Sequence, residues 1–329
     1  MEQKVLRTGT WVVVCAIVLR LICGMADSFV PNLSPKIVSF MIFMQTGRVV
    51  RPNNISFSPQ PTQPTEETQP APPPPTEPEL PVFSAGEANE IGITAGFSYT
   101  VDKAGLLTQP LNWDLTGEEP KVLIIHSHGS ESFAPTGEYQ ETTAYHTLNT
   151  DYNMVAVGTY LAQLLTQAGI GVIHDRQIHD SPSYNAAYSN SRTSVQAYLA
   201  QYPTIQVVLD LHRDAAEYAD GSQYATSATV DGKKVAQLMF VVGSDASGNY
   251  HPNWQENLAT ALKLQALLEQ QAPGITRQTI LRAQRFNHDL SAAAMIVEVG
   301  AAGNTLEEAM GAIPILAEAL IQLMYGANP

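Results

Sequence analysis

His128, Glu131, His212 and Glu298 have the types and spacing for hydrolytic metal chemistry. His128 and Glu131 stand in H-x-x-E spacing inside "KVLIIHSHGSES" (Lys121 to Ser132), where one tight loop can supply two ligands. His212 sits in "DLHRD" with Asp210, Arg213 and Asp214 around it. A hydrolytic zinc site takes three neutral or anionic ligands and keeps one position open. His128, Glu131 and His212 form such a set. His126 is the alternative first ligand, because side chains two apart on a strand share a face. A further group must take a proton from the attacking water and pass it to the leaving amine. Glu298, in "VEVG", suits that role. Arg213, next to a ligand, suits an oxyanion or a substrate carboxylate.

Each piece alone has a plainer reading. H-x-x-E recurs by chance, a single strand-end histidine is more often simply hydrogen-bonded, and a strand-end glutamate can cap a turn. What raises the joint reading is the set of elements that must position these residues. Apolar runs at Lys121–Ile125, Ile170–Ile173, Ile205–Leu211, Gln237–Gly243 and Ala294–Gly300 read as buried strands. Between them lie helical stripes, notably Met154, Val157, Leu161 and Leu165 ahead of Gly169, a helix over Ser191–Ala200, and a stripe from Trp254 to Leu268. Asn304 with Glu307 reads as a capping box for a closing helix, and Pro314 as a kink or split within it.

Near-continuously apolar strands alternating with helices predict an α/β fold, a mostly parallel twisted sheet flanked by helices on both faces. Sites in such sheets lie outside the carboxyl ends of the strands. The histidines, Glu131 and Glu298 all end strands, so one topology gathers them at one edge. His288 and Asn287 in "RFNHDLS", shortly before the Glu298 strand, are expected at the cleft as substrate contacts. Arg192, in the polar stretch Ser183–Ser194, is expected there too. His146, His174, His179 and His251 read as solvated loop residues.

The rest of the chain bounds the setting. Its 329 residues carry a net charge of -14, which argues against nucleic acid as a partner. Both cysteines, Cys15 and Cys23, fall in the apolar run Trp11–Ala26, so no thiolate metal site is available downstream. Lys4 and Arg7 ahead of that run indicate an exported protein held by a retained signal-anchor, although Arg20 interrupts the run. Eleven of the 22 prolines lie between Arg51 and Val82, an extended spacer. Residues 1–50 are thus read as a cytoplasmic tip and membrane anchor, 51–82 as a linker, and 83–329 as the zinc hydrolase domain.

With these residues in view, the chain resembles the stage II sporulation protein P (SpoIIP) family of endospore-forming bacteria. The resemblance rests on "IIHSHGSESF" (Ile124–Phe133), "LDLHRDA" (Leu209–Ala215), "FNHDLS" (Phe286–Ser291) and "IVEVGAAGNTLEEA" (Ile296–Ala309), in the family's order. Ser127 and Ser130 stand where the family's first motif usually has threonines, and His288 where glutamine is frequent. More distantly the pattern is similar to zinc N-acetylmuramoyl-L-alanine amidases and zinc carboxypeptidases. The resemblance implies a membrane-anchored, zinc-dependent peptidoglycan amidase, with endopeptidase activity as well, whose domain lies between the mother-cell and forespore membranes during engulfment. It implies Zn2+ on His128 (or His126), Glu131 and His212, and Glu298 as acid/base. It implies peptidoglycan, a SpoIID-like lytic transglycosylase and a SpoIIM-like membrane protein as partners. Two other readings keep the sequence facts: a metallocarboxypeptidase or endopeptidase on stem peptides, with Arg213 or Arg192 clamping a carboxylate, and a non-catalytic wall-binding scaffold.

Overall fold

The structure, a computed structural model, describes residues 80–137, 139 and 145–326. The expected anchor and nearly all of the proline-rich spacer lie outside the described residues. After a short 3-10 turn at Glu87–Asn89, the chain forms β1 (Ile93–Ala95), α1 (Lys103–Thr108), β2 (Val122–Ile125), α2 (Met154–Gln167) and β3 (Val172–His174). There follow α3 (Ala187–Gln201), β4 (Val207–Asp214), the hairpin β5 (Ser227–Val230) and β6 (Lys233–Ala236), and β7 (Leu238–Gly243). Helix α4 (Trp254–Gln271), β8 (Thr279–Arg282), β9 (Ala294–Ala301) and α5 (Leu306–Tyr325) complete the fold.

Seven strands make one sheet in the order β1-β8-β7-β9-β4-β2-β3. Neighbours pair in parallel except at one junction, where β7 runs antiparallel to β9. The sheet is therefore two parallel blocks of opposite direction. The carboxyl ends of β2, β3, β4 and β9 share one edge, and those of β7 and β8 point to the other.

Period-two alternation divides the strands between two cores. Val122, Ile124, Leu209, Leu211, Phe240 and Val297 pack with α2, α4 and α5, while Leu123, Ile125 and Val208 pack with Val195 of α3. Helix α2 forms as its spacing dictates: Met154, Val157, Leu161 and Leu165 are all fully buried. The Asn153 side chain accepts from the Val155 amide at its start. Gly169, at φ 86°, ends it in a left-handed turn that other residues adopt only with strain.

Several expectations shift. The closing helix is capped one residue later, by Thr305 and Glu308 in a reciprocal capping box. Asn304 instead accepts from the Thr226 and Ala301 amides and ties the helix start to β5. Pro314 lies within a continuous α5 at an exposed position and does not divide it. Helix α3 begins at Ala187, so much of the polar stretch Ser183–Ser194 is helical rather than loop. Helix α5 is also the one described helix long and apolar enough to cross a membrane, and half of it is buried in the core.

Candidate active site

Strand β2 stops at Ile125 and the chain turns through His126–Glu131, closed by a bond from the Glu131 amide to the His128 carbonyl at 3.1 Å. Two buried carboxylates fix this turn. Asp210, from β4, accepts from the Ser127 amide at 2.7 Å and its hydroxyl at 2.5 Å. Asp180 accepts from the Ser130 hydroxyl at 2.6 Å and its amide at 3.2 Å. The serines that replace the family's threonines thus keep the hydroxyls that hold the loop.

The turn brings His128 and Glu131 to His212. Glu131 Oε2 lies 3.4 Å from His212 Nδ1, and the His128 and His212 rings are 5.5 Å apart, centroid to centroid. Asp210 Oδ1 sits 2.9 Å from His212 Nε2, off the direction of its N–H, so the two pair by charge more than by an aligned hydrogen bond. On the next strand Glu298 is the register partner of His212. Every one of these groups is largely withdrawn from solvent.

Burial alone would lower the pKa of His212, but Asp210 and Glu131 overcome it and hold the imidazole well above its ordinary value. Burial would likewise raise Glu131, and His212, Arg213 and His128 outweigh it, keeping the carboxylate ionised. Glu298 behaves oppositely. Burial, seconded by Glu131 and Asp214 against the opposing pull of His212, pushes its carboxyl up to about 8. Two carboxylates in one cluster therefore differ in protonation at neutral pH, the pattern of an acid and a ligand.

His126 and His128 part company here. His126 Nδ1 lies 3.2 Å from the Leu211 carbonyl and must be the protonated nitrogen, leaving Nε2 to accept from His174 Nε2 at 2.9 Å. Its proton and its lone pair are both in use, on the face covered by α2. Gly158 makes room for the pair: a Cβ there would lie 2.5 Å from His126 Nε2. His128 Nδ1, by contrast, is buried without a hydrogen-bond partner, its closest acid being Asp180 Oδ2 at 3.7 Å.

The donor set suits zinc in kind. Bonds of about 2.0–2.2 Å in a tetrahedron set neighbouring donors about 3.3–3.6 Å apart, and the Glu131–His212 separation of 3.4 Å matches that edge. Asp210 behind His212 is the outer carboxylate such a ligand histidine ordinarily has. Among the described residues no three such side chains meet at one point as they stand. The third candidate donor, His128 Nδ1, is buried and unpartnered.

A profile of the stage II sporulation protein P (SpoIIP) family matches residues 52–321. The chain belongs to that family. It is 30% identical over 226 residues to the stage II sporulation protein P of Bacillus subtilis (strain 168), which covers 65% of this chain and 53% of the relative. The chain thus spans about half the length of that curated relative. Among solved structures it overlaps the N-acetylmuramoyl-L-alanine amidase AmiC2 of Nostoc punctiforme with a TM-score of 0.40 at 13% identity, over 63% of this chain and 97% of that one. The CwlD amidase of Clostridioides difficile, in complex with the GerS lipoprotein, gives 0.38 at 11% identity, over 63% and 95%. Overlap at scores this low is too loose to assign a function.

In this SpoIIP family member the outer residues expected at the site lie elsewhere or serve otherwise. Arg213 is buried, and its donors go to the carbonyls of Ser132 at 3.0 Å and Tyr145 at 2.9 Å, with Nη1 at 3.6 Å from Glu131 Oε1. It orients Glu131 and presents no free donor edge to a substrate. Arg192 makes a bidentate pair with Asp289, both bonds 2.8 Å. Asn287 donates to the Tyr188 carbonyl and the Ser191 hydroxyl. His288 is 3% exposed and accepts from the Gly243 amide at Nδ1. Asn287 and His288 precede the start of β9, whereas Glu298 lies toward its end, and Arg192 lies on α3. Asn287 and His288 line a small cavity with Ser127, Ser191 and Asp210, and Arg192 is half-buried on α3.

Other site residues escaped the sequence reading. Tyr184 stacks on His128 with centroids 4.1 Å apart, and Tyr188 lies parallel to the His212 ring at 6.4 Å. Their i, i+4 spacing at the entry to α3 was the available signal. His146 bridges backbone to backbone with Glu131 and meets the Tyr184 ring edge-on, while His179 and His251 are buried. None of these matches the solvated reading.

Proposed function

We propose that this protein is a zinc-dependent peptidoglycan hydrolase of the N-acetylmuramoyl-L-alanine amidase type. The carrying observation is the gathering of His128, Glu131, His212 and Glu298 at the carboxyl edge of β2, β4 and β9, with His128 Nδ1 and Glu298 Oε2 buried and unpartnered. Membership of a sporulation family supports the biological setting, the degradation of septal wall during engulfment. On the same reading the Trp11–Ala26 segment anchors the chain in the membrane and the proline-rich stretch gives the domain reach. A SpoIID-like transglycosylase and a SpoIIM-like membrane protein are then its partners.

His128, Glu131 and His212 would hold the zinc, which when bound supplies Lewis acidity toward an amide carbonyl and an acidified water. Asp210 holds His212 from behind and fixes which nitrogen faces Glu131. Arg213, with its own amide donating to Glu131 Oε2 at 3.2 Å, holds that carboxylate in place. Glu298 moves the proton: its ionised form, the minor one at neutral pH, accepts it from water at Oε2 and returns it to the leaving amine nitrogen. A carboxylate-clamping peptidase is less well supported, because both candidate arginines are consumed by internal acids.

The test is a product analysis. The purified full-length protein is assayed for bound zinc and incubated with sacculi beside its Glu298→Ala variant. Free stem peptides and peptide-free glycan, released by the wild type alone, support the reading. Shortened peptides still joined to glycan would replace it with a peptidase.

A further inference from the structure

Tyr184 is the residue at the site that no proposed catalytic step uses. Its ring stacks on His128 at 4.1 Å with 26° between planes, yet 54% of the residue stands open to solvent. The 3-10 turn Tyr184–Ala186 and the start of α3 fix it in place. A wide aromatic surface left open directly over a proposed metal ligand is poorly explained by packing alone, which would bury it.

What could cover that ring is narrowed by charge. On the amidase reading, on which this inference rests, the substrate brings two unlike groups to the site, a neutral pyranose and a stem peptide bearing carboxylates. The neighbouring arginines are spent, Arg213 on Glu131 and two carbonyls, Arg192 on Asp289. With both arginines paired internally, no guanidinium is left to hold a peptide carboxylate, whereas a sugar needs none. The C–H face of a pyranose is flat, apolar and matched to an aromatic ring. We propose that Tyr184 is a specificity-determining residue whose ring stacks on the muramoyl sugar and places the scissile amide beside His128.

The test compares Tyr184→Phe, Tyr184→Leu and Tyr184→Ala in the full-length zinc-loaded protein. Substrates are a disaccharide muramoyl-peptide and the same peptide N-acetylated without sugar. A second measurement is the Kd of the free disaccharide for the same ring variants in a Glu298→Gln background. The expected result is a rise of about tenfold in KM for the sugar substrate with Tyr184→Ala, equivalent to about 1.4 kcal/mol, and a parallel weakening of disaccharide binding. kcat and zinc content stay near wild type, Tyr184→Phe rescues most of the loss, and Tyr184→Leu does not. Unchanged disaccharide affinity overturns the proposal, as does a loss confined to kcat and zinc content, which would make Tyr184 a support for His128 only. The two readings fail separately. A Tyr184→Ala protein that digests walls and binds disaccharide as well as wild type removes the sugar site alone. A wild type that cleaves nothing, yet binds disaccharide through Tyr184, removes the amidase alone.

Discussion

Two polar clusters, one half-buried and one buried, flank the middle strands, and their charges are met on opposite terms. At the Arg192 cluster, under α3, every charge meets its complement: Arg192 spans Asp289 with two bonds of 2.8 Å, and Arg285 adds a third contact at 3.5 Å. At the carboxyl edge, His212 lies between two carboxylates, Glu298 Oε2 and His128 Nδ1 have no partner, and Glu298 carries a pKa of about 8. Leaving buried polar atoms unpaired costs on the order of 1–3 kcal/mol each. The edge that leaves His128 Nδ1 and Glu298 Oε2 unpaired is spending stability where a ligand would supply the missing partners.

Glu298→Gln should separate the two most sharply. It keeps the shape and removes the movable proton, so wall hydrolysis should drop by about a thousandfold. Urea unfolding should show equal or slightly raised stability, because a neutral amide replaces a carboxyl that burial already disfavours. Residual hydrolysis within tenfold of wild type would deny Glu298 its role. Arg192→Ala should do the reverse. Removing the guanidinium leaves the Asp289 carboxylate only the longer Arg285 contact, and stability should fall by about 1 kcal/mol, discounted for the partial exposure of Arg192. Turnover of the remaining folded protein should stay within about threefold of wild type. If turnover collapsed while stability held, Arg192 would belong with the substrate after all.

The same contrast explains what could be read in advance. The strands of the middle block were legible because they are apolar on both faces, and their polar ends gave the gathering of His128, Glu131, His212 and Glu298. Direction was not legible. A run such as "QLMFVVG" buries both faces whichever way it points, so the antiparallel β7–β9 junction left no trace in the sequence. The Phe286–Ser291 loop, close to Glu298 along the chain, directly precedes β9 and so meets it at the end away from Glu298. Period two also stops where the strand does: β2 ends at Ile125, so His126 and His128 sit on a turn and face different neighbours. The Arg192–Asp289 pair joins residues 97 apart in the chain, a distance over which no local pattern carries information.

The His126–His174 pair belongs with the satisfied cluster, and acid is the means to show it. Burial holds His126 at about 4 and His174 at about 3, the latter pressed further by His126 itself. Both folded values lie below the ordinary histidine value of about 6.5, so the unfolded chain takes up protons that the folded chain refuses. Stability from this pair is complete above about pH 6.5 and declines as pH falls toward 4, with a limiting slope of about 1.4 kcal/mol per pH unit for each histidine. His212, whose folded value is raised, works in the opposite sense and is lost as pH rises through that value. His174→Gln retains an N–H that can donate to His126 Nε2 and deletes one titrating ring. Urea melts between pH 7 and pH 4.5 should therefore show nearly wild-type stability at the top of the range. Toward the bottom the slope should be shallower by about one histidine's share, roughly 1 kcal/mol gained over the last pH unit. An unchanged slope would mean that His174 is protonated in the folded state. His126 Nε2 would then accept from a charged ring, and the pair would belong with the strained groups of the carboxyl edge.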